Sequence, residues 1–309
     1  MTQTDSEKLH ERARKRRELR SVDRPLDAIS VPQQRVLLAL ARYRYLTVAQ
    51  FIALGVAKNE SHIRSDVLPR LCRRPTDNLI AFHDFAPESA KGRIPRVYTL
   101  TKHGAELVAD MDRLEVADIR YPVGGIQYAN DFDHRAAYID ACIAFDAWVA
   151  ADERRECLET RHYFDKIGAN RAGSNRLRSV CRVDLPHHRF IVPDGLAFFD
   201  TGTKKRAVAL ELHRFPDVGR IVKKLVNHIP ALDMDAYPRA FGHEAAGRVL
   251  NIFCDAKAAV RVMDRLLDVP GFRGSRAFQL MAFNSLDSVK ADFGGDWVLA
   301  DRTKANVFE

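Results

Sequence analysis

The chain has 309 residues, of which 46% are hydrophobic and 29% charged, with a net charge of +8, and this length suits a soluble protein of two domains. No apolar run approaches the roughly 18–20 residues that span a bilayer, and the N-terminal residues are polar, so we expect neither a membrane segment nor a secretory signal. The five cysteines are scattered without Cys-x-x-Cys spacing, which predicts reduced thiols in the cytoplasm and disfavours a zinc site.

The positive charge is concentrated in the first third of the chain. Residues 1–114 carry 21 Lys and Arg against 14 Asp and Glu, whereas residues 115–309 carry 28 against 27. A basic region attached to a nearly neutral one indicates contact with a polyanion, most often nucleic acid. A solvated basic surface without a partner is the alternative interpretation.

Residues 1–30 are predicted to form a basic arm that is disordered in isolation. Seven Lys and Arg lie between Arg12 and Arg24, and few apolar residues are available for burial. Such an arm would add non-specific affinity for phosphate. A tail that only increases solubility is equally compatible with this composition.

Residues 31–114 are predicted to form a winged helix-turn-helix domain. Three segments of helical character precede two extended segments, and a further helix follows Gly104. They are a helix beginning near Val31, helices at 48–54 and 59–73, and extended segments at 79–85 and 96–100. Pro69 is expected to kink or shorten the third helix. Three helices followed by a hairpin with a basic tip are typical of this fold.

In such a domain the third helix enters the major groove, and the wing contacts the backbone or the minor groove. The polar residues expected on the exposed side or at the end of that helix are Ser61, His62, Arg64, Ser65, Arg70, Arg73 and Arg74. Those expected on the wing are Lys91, Arg93 and Arg96. Arg64 is the first choice for a base contact, because a guanidinium can pair with guanine through two hydrogen bonds, whereas the others would contact phosphate. The alternative is a solvated face of a winged helix that binds protein.

Residues 115–130 are predicted to connect this domain to a second one, 131–309. The second domain begins with an apolar-rich helix and continues with alternating strands and helices, which indicates an α/β sheet covered on both sides. Besides a central hairpin, the predicted elements are helices at 131–151, 218–228 and 256–267, and strands near 157–164, 248–254 and 277–283.

Asp194 and Glu211 lie on two apolar segments that are joined by the turn-forming residues 201–203. A hairpin of that length can place both carboxylates at one end of a sheet. Together with the carbonyl of Leu212 they could hold Mg²⁺, which would activate water at a phosphodiester. This is the layout of PD-(D/E)xK nucleases, except that His213 stands where those enzymes have lysine.

Another lysine would have to supply the charge that is missing at His213. The candidates, in the turn and on the next helix, are Lys204, Lys205, Lys223 and Lys224. The turn lies at the far end of the hairpin, so the two lysines on the helix are better placed. A further acid before the first strand, Glu156 or Glu159, could complete the cluster.

A purely structural interpretation of the same residues is available. Pro-Asp-Gly is a strong turn signal, so Asp194 could begin a β-turn, and Glu211 could form an ion pair with Arg214. His213 could then be a ligand, a general base or a hydrogen-bonded bystander.

Several short motifs are distributed over both halves of the chain: Tyr98-x-Leu100-Thr101-x-x-Gly104, Asp133-His134, Pro193-Asp194-Gly195, Glu211-Leu212-His213-Arg214 and Lys224-Leu225. With the N-terminal winged helix, they resemble the replication-relaxation family of bacterial plasmids and integrative elements, over most of residues 31–285. The family strand typically reads Glu-x-Asp-Arg, and here His213 replaces the second acid. A tyrosine that is common in the later helix is replaced by His228. The resemblance implies a role for DNA binding in plasmid replication or conjugative mobilisation.

The sequence therefore predicts an α+β protein with an N-terminal winged helix-turn-helix and a C-terminal α/β restriction-endonuclease-like domain. We expect it to bind double-stranded DNA, with a nuclease-like domain that does not cleave because no lysine follows Glu211 at the usual spacing. A relaxase or a replication protein, and a second copy of the chain, are the expected protein partners. Two alternatives remain open: an active Mg²⁺-dependent endonuclease or nickase that uses Asp194 and Glu211, and a winged-helix transcription regulator.

Overall fold

The computed structural model describes residues 29–72, 78–85, 94–122, 131–168, 177–243 and 245–308. They belong to two compact units, one within Met1–Gly125 and one within Ile126–Glu309. The division falls inside the predicted connector, 115–130. Most of the predicted arm and four of the predicted DNA contacts lie outside the described residues, namely 1–28, Arg73, Arg74, Lys91 and Arg93.

The first unit contains three helical segments, a two-stranded hairpin and a further helix. These are α1 (Val31–Tyr43), α2 (Val48–Ala53), α3 (Glu60–His62, Ile63–Val67 and Leu68–Cys72), β1 (Ile80–His83), β2 (Val97–Leu100) and α4 (Lys102–Asp112), followed by a 3-10 turn at Val116–Asp118. The two strands are antiparallel, and Leu46 adds a bridge to Tyr98. The buried side chains that form the core of this unit include Val36, Leu37, Leu40, Phe51, Ile63, Leu71, Leu100 and Val108.

Side-chain caps explain where the first three helices begin. The backbone amide of Ser30 donates to Gln33 Oε1 at 2.9 Å, and the amide of Thr47 donates to Gln50 Oε1 at the same distance. Asn59 Oδ1 accepts from the amide of His62 at 2.8 Å. Each cap satisfies a backbone group that would otherwise lack a partner at a helix end.

Pro69 distorts helix α3 without ending it. The segment Ile63–Val67 has π-helical geometry, and Leu68–Cys72 then continues as α-helix. Proline has no amide hydrogen and its ring collides with the carbonyl four residues earlier, so a wider turn just before it relieves the conflict.

The start of helix α4 explains the Thr-x-x-Gly motif. Thr101 Oγ1 accepts from the amide of Gly104 at 3.1 Å, and the Thr101 amide donates to the carbonyl oxygen of Leu79 at 3.1 Å. That carbonyl lies so close to Gly104 that a Cβ there would overlap it. Only glycine therefore allows strand β1 and helix α4 to approach this closely.

We expect Gly104→Ala to destabilise the first unit by roughly 1–3 kcal/mol, because the added methyl group meets backbone that has no rotamer to adopt. Calorimetric unfolding of the full chain would measure the change. Gly219→Ala is a matched control, since a Cβ at Gly219 meets nothing closer than 3.7 Å. It should stabilise its helix by about 0.5–1 kcal/mol. Equal effects of the two substitutions would contradict the close approach at Gly104.

The second unit is built around a five-stranded mixed sheet. Its principal elements are α5 (Phe132–Ala150), β3 (Glu156–His162), β8 (Gly195–Asp200), β9 (Lys205–His213), α6 (Val218–Val226), β10 (Ala246–Phe253), α9 (Ala256–Leu267) and β11 (Met281–Ser285). The strand order is β11-β10-β9-β8-β3. Strands β9, β10 and β11 run parallel, whereas β8 is antiparallel to both of its neighbours.

Short elements fill the connections of this unit. Between β3 and β8 lie two small two-stranded sheets, β4 (Lys166–Ile167) with β5 (Arg178–Ser179) and β6 (Val183–Asp184) with β7 (Phe190–Ile191). The short helices of this unit are α7 (Ile229–Asp233), α8 (Ala236–Ala240), α10 (Ala277–Leu280) and α11 (Leu286–Ala291). The strand predicted at 277–283 is wrong in its first half, where residues 277–280 form α10. Pairing with β10 begins only at Met281, opposite Val249, so the preceding residues have no strand partner.

Both faces of the sheet are buried. One face packs against α6 and α9 through residues such as Phe198, Ala209 and Phe253. The other packs against α5, where Phe145 contacts Phe199 at 5.3 Å between ring centroids. Strands with two buried faces are uniformly apolar, so a charged residue in their interior must be balanced by a partner.

Two further observations concern the chain as a whole. None of the helices in the described ranges combines the length and apolar character that a bilayer crossing requires. All five cysteines are described, and none of them forms a disulfide.

Candidate functional site

Asp194 and Glu211 lie side by side at one end of the β8–β9 hairpin. Gly195 pairs with Leu210, which places the preceding Asp194 next to Glu211 on the neighbouring strand. Both side chains are buried, with 7% of Asp194 and none of Glu211 exposed. Asp194 Oδ2 accepts a hydrogen bond from the amide of Leu212 at 2.8 Å, which fixes its position relative to β9.

Gly195 does not form the β-turn that the Pro-Asp-Gly motif suggests. It begins strand β8, and its missing side chain makes room for the hydroxyl of Tyr138, which would overlap a Cβ at this position. That hydroxyl lies 2.9 Å from His162 Nδ1. The glycine is therefore required by close packing against α5, which holds the neighbouring aspartate at the end of the strand.

Lys224 bridges the two carboxylates. Its Nζ contacts Glu211 Oε2 and lies 3.6 Å from Asp194 Oδ2. Helix α6 directs it inward, since Ile221 and Leu225 on the same side of the helix are buried. The Lys224 side chain remains 39% exposed, so this ammonium forms the solvent-facing surface of the cluster.

The charges of this cluster stabilise one another against burial. Burial alone would raise the pKa of Asp194, but the charge of Lys224 and the contact with His134 hold the pKa well below its usual range. Burial alone would lower the pKa of Lys224, but the charges of Glu211 and Asp194 raise it above its usual range. Aspartate and lysine are therefore both ionised at neutral pH.

Two histidines contact the remaining carboxylate oxygens. His228 Nε2 lies 2.8 Å from Glu211 Oε1, and His134 Nε2 lies 3.2 Å from Asp194 Oδ1. His228 Nδ1 is 2.5 Å from the hydroxyl of the buried Tyr237, so Glu211, His228 and Tyr237 form a continuous polar chain behind the sheet. Glu211 thus contacts the Lys224 ammonium through one oxygen and the His228 ring through the other, and the charge of Lys224 balances this buried carboxylate.

His213 does not replace the missing lysine. Its Nε2 lies 3.3 Å from Asn251 Oδ1, and its ring lies 4.6 Å from that of Phe253. Burial lowers the pKa of His213 to about 4, so the ring is neutral at pH 7. Among the three roles considered for it, this placement matches the hydrogen-bonded bystander.

The other residues considered for the carboxylate site lie apart from it. Lys223 is exposed on α6, and Lys204 and Lys205 lie at the opposite end of the hairpin. Glu156 pairs with Asp200 across the sheet near that same end, and Glu159 forms an ion pair with Arg161 at 2.6 Å. The ion pair between Glu211 and Arg214 that the purely structural interpretation allows is not formed, because Arg214 contacts Asp133 of helix α5 instead.

The arrangement does not fit a hydrated Mg²⁺ ion. Such an ion keeps several water ligands in octahedral geometry, whereas the Lys224 ammonium occupies the space between the two carboxylates and Glu211 is fully buried. Within the described ranges, no group of three or more His, Cys, Asp or Glu is arranged to hold a metal. A lysine ammonium therefore takes the place that a metal ion would have between Asp194 and Glu211.

The predicted DNA contacts of the first unit are exposed on helix α3. Arg64 Nε lies 2.5 Å from Glu60 Oε1, and Arg70 Nε lies 2.7 Å from Asp66 Oδ1, both across one helical turn. The hydroxyl of Ser65 donates to the carbonyl of Ser61 at 2.7 Å. Both arginines thus have acidic neighbours on their own helix, and exposed pairs of this kind contribute at most about 1 kcal/mol.

Arg96 occupies a different environment, at the loop end of the hairpin, next to the paired residues His83 and Val97. It donates two hydrogen bonds to Asp84, at 2.8 and 2.6 Å, and its guanidinium lies 4.1 Å above the ring of Phe82. The hydrogen bonds to Asp84 raise the pKa of Arg96 above its usual range. Its first partner is therefore within the hairpin, and a phosphate contact would have to compete with Asp84.

Four members of the site were not identified from the sequence as parts of it: His134, His228, Tyr237 and Asn251. The sequence does contain a signal for Asn251, which is an amide within the apolar run Leu250–Phe253. A buried polar residue in such a strand requires a partner, and Asn251 donates to the carbonyl of Ala282 at 3.1 Å while its Oδ1 faces His213.

Comparison with known proteins finds no relative: no family model, curated protein or solved structure matches this chain significantly. What the two units do must therefore be inferred from their own residues. Two features of these units can be related to a function: the carboxylates bridged by Lys224 and the exposed arginines of helix α3.

We expect Lys224→Met to destabilise the second unit by about 3–5 kcal/mol, because it leaves two buried carboxylates without their shared cation. Both tryptophans of the chain, Trp148 and Trp297, lie in this unit, so urea unfolding followed by tryptophan fluorescence reports on it. Lys223→Met is the matched control, and its effect should stay within about 0.5 kcal/mol. If Lys224→Met and Lys223→Met change the free energy of unfolding by similar amounts, the ion pairs of Lys224 contribute nothing to stability.

We expect the buried His213 to make the second unit less stable in mild acid. The unfolded chain binds a proton near pH 6.5 and the folded chain only near pH 4, so stability is lost as the pH falls between these values. Between pH 7 and pH 5, the free energy of unfolding should change by about 2 kcal/mol less in His213→Asn than in the wild-type chain, measured by urea unfolding at both pH values. His187→Asn, at an exposed histidine, should leave the difference unchanged. An unchanged difference in His213→Asn would indicate that His213 titrates normally.

Proposed function

We propose that this chain is a DNA-binding protein whose first unit recognises duplex DNA and whose second unit retains a nuclease-like site without cleaving. The observation that carries the first part is the exposure of Ser61, Arg64, Ser65 and Arg70 on the third helix of a unit that ends in a hairpin and a helix. This order of elements supports a winged helix-turn-helix, in which the third helix lies in the major groove.

The ion pairs on helix α3 are compatible with this role. The side chains of Arg64 and Glu60 are 56% and 57% exposed, so water already screens their attraction. Exchanging an exposed carboxylate for the edge of a guanine therefore costs little, and a bidentate contact with the base contributes about 1–3 kcal/mol of discrimination.

The second unit supports a nuclease-like ancestry without cleavage. Its paired carboxylates at the end of a hairpin, followed by a lysine-bearing helix, match the layout of PD-(D/E)xK nucleases. However, Lys224 already compensates both carboxylates, and His213 is neutral and turned toward Asn251. Together with the sequence motifs, this supports a role in plasmid replication or conjugative mobilisation, alongside a relaxase or a replication protein.

Metal-dependent cleavage is the second candidate function. One observation favours it: Lys224 reaches the carboxylates from helix α6 and so supplies the lysine that the strand lacks. For cleavage, the ammonium would have to move aside from the space between Asp194 and Glu211 while remaining near the site. The two candidates thus differ in whether this lysine can be displaced.

We expect supercoiled plasmid incubated with the protein and Mg²⁺ or Mn²⁺ to be retarded in a gel but to remain intact. Asp194→Asn should behave in the same way, because retardation depends on the first unit rather than on the carboxylates. Nicking by the wild-type chain that disappears in Asp194→Asn would establish the endonuclease and overturn the non-cleaving proposal. The Asn variant keeps the size of the side chain, and its folding can be checked by tryptophan fluorescence.

We expect Arg64→Ala to reduce discrimination between duplex sites by roughly 10- to 100-fold, because the bidentate base contact is lost. The bound sequence would first be selected from a random duplex pool, and competition gel shifts would then compare it with a scrambled duplex. Arg70→Ala is the matched control on the same helix and, like Lys91→Ala or Arg93→Ala, should weaken binding to both duplexes alike. Full site preference in Arg64→Ala would mean that this helix does not contact the bases.

A further inference from the structure

Helix α6 carries exposed basic side chains and has an exposed phenylalanine near each end. Arg220 and Lys223 are exposed along the helix. Phe215, shortly before the helix, is 62% exposed, and Phe190 on strand β7 is 51% exposed. We call these four residues the α6 strip. Of the phenylalanines in the described residues, Phe215 and Phe190 are the most exposed.

The two phenylalanines flank the helix. Phe215 precedes the N-cap residue Asp217 by two positions. Phe190 lines a surface cavity of about 440 Å³ together with Asn227, which is the residue that follows the helix. Nine helical residues span roughly 13 Å, so the rings lie somewhat farther apart than that, with Arg220 and Lys223 between them.

Each ring is held by a guanidinium. Arg214 lies 4.4 Å from the centroid of Phe215, and Arg182 lies 3.9 Å from that of Phe190. A cation–π contact of this kind orients the ring and leaves its opposite face to solvent. Two flat apolar faces are thus presented in fixed orientations.

The charge around the strip is positive. The basic residues of segments 182–191 and 214–227 are Arg182, Arg189, Arg214, Arg220, Lys223 and Lys224, whereas their acidic residues are Asp184 and Asp217. Asp217 caps the helix by accepting from the amide of Arg220 at 3.0 Å, and Asp184 accepts from Arg182 at 2.6 Å. Lys224 is balanced by Glu211 and Asp194, and Arg214 contacts Asp133, so Arg189, Arg220 and Lys223 supply the positive surplus. This surplus attracts a polyanion, which in this protein is DNA on the proposed function.

Single-stranded DNA uses both features together, and duplex DNA does not. In a duplex the faces of the bases are stacked on one another and cannot reach a protein ring, whereas an unpaired strand exposes them. Aromatic stacking platforms beside basic side chains are how proteins hold single strands without sequence preference, in sites of about 4 nucleotides or more.

We propose that the second unit binds single-stranded DNA along the α6 strip, with bases stacked on Phe190 and Phe215 and phosphates on Arg220 and Lys223. This inference rests on the proposed DNA-binding function but assigns the second unit its own ligand. Arg220 and Lys223 are exposed on the helix whose Lys224 contacts the carboxylate pair, so a strand held on them lies beside the carboxylate site.

The test compares two labelled 12-nucleotide strands, one of thymidylate and one abasic, by fluorescence anisotropy with the full chain. The abasic strand keeps the phosphates and lacks the bases, so it isolates stacking. We expect the wild-type chain to prefer the thymidylate strand, and Phe190→Ala with Phe215→Ala to lose that preference, with roughly tenfold or more weaker binding for each ring. Arg220→Ala with Lys223→Ala should weaken binding to both strands alike and reduce the dependence on salt.

Matched controls separate this inference from its alternatives. Val260→Ala removes an exposed apolar side chain elsewhere in the unit and should change nothing, and Phe190→Trp with Phe215→Trp should retain the preference. Equal binding of the two strands by the wild-type chain would overturn the inference. The inference would also be overturned if the chain bound neither strand but bound a poly-glutamate peptide through Arg220 and Lys223. That result would indicate an acidic protein partner.

The proposed duplex recognition is judged separately, with Arg64→Ala on the selected duplex. Loss of strand binding in the phenylalanine variant with unchanged duplex binding supports both assignments. If strand binding depends on the two phenylalanines but the chain shows no preference among duplexes, the inference for the α6 strip is supported and the role proposed for the first unit is contradicted.

Discussion

The ion pairs of Lys224 with Glu211 and Asp194 are the interaction on which the second unit depends. Burial disfavours the charge of a carboxylate, so two buried carboxylates side by side at the end of a hairpin require a nearby cation. Lys224 supplies that cation from helix α6, and His228 and His134 occupy the oxygens that it leaves. The ion pairs of Lys224 and the burial of Ile221 and Leu225 therefore favour the same rotation of α6.

That rotation also decides what the helix presents to solvent. With Lys224 turned toward the sheet, its neighbour Lys223 and the preceding Arg220 face outward. The same helix thus closes a buried site on one side and offers a basic surface on the other. On the proposed function, the compensated carboxylate pair would not repel the phosphates that the outer surface attracts.

The two units use charge in opposite ways. In the first, Arg64 and Arg70 pair with acids on an exposed helix, where water weakens the attraction and partners exchange readily. At the carboxylate site of the second, Glu211 and Asp194 are buried, and removing their cation leaves an uncompensated charge. Exchangeable pairs are compatible with the DNA recognition proposed for the first unit, whereas the buried network fixes how helix α6 packs on the sheet.

The sequence by itself determined the features that depend on local pattern. The hairpin that brings Asp194 beside Glu211 follows from two apolar runs and a turn, and the Thr101-x-x-Gly104 motif marks the start of a helix. Only the tertiary structure decided that Lys224 rather than Lys223 reaches the carboxylates, that His213 turns to Asn251, and that His228 and Tyr237 stand behind Glu211. Adjacent residues of a helix point about 100° apart, so the partner of a buried charge is selected by how the helix packs on the sheet.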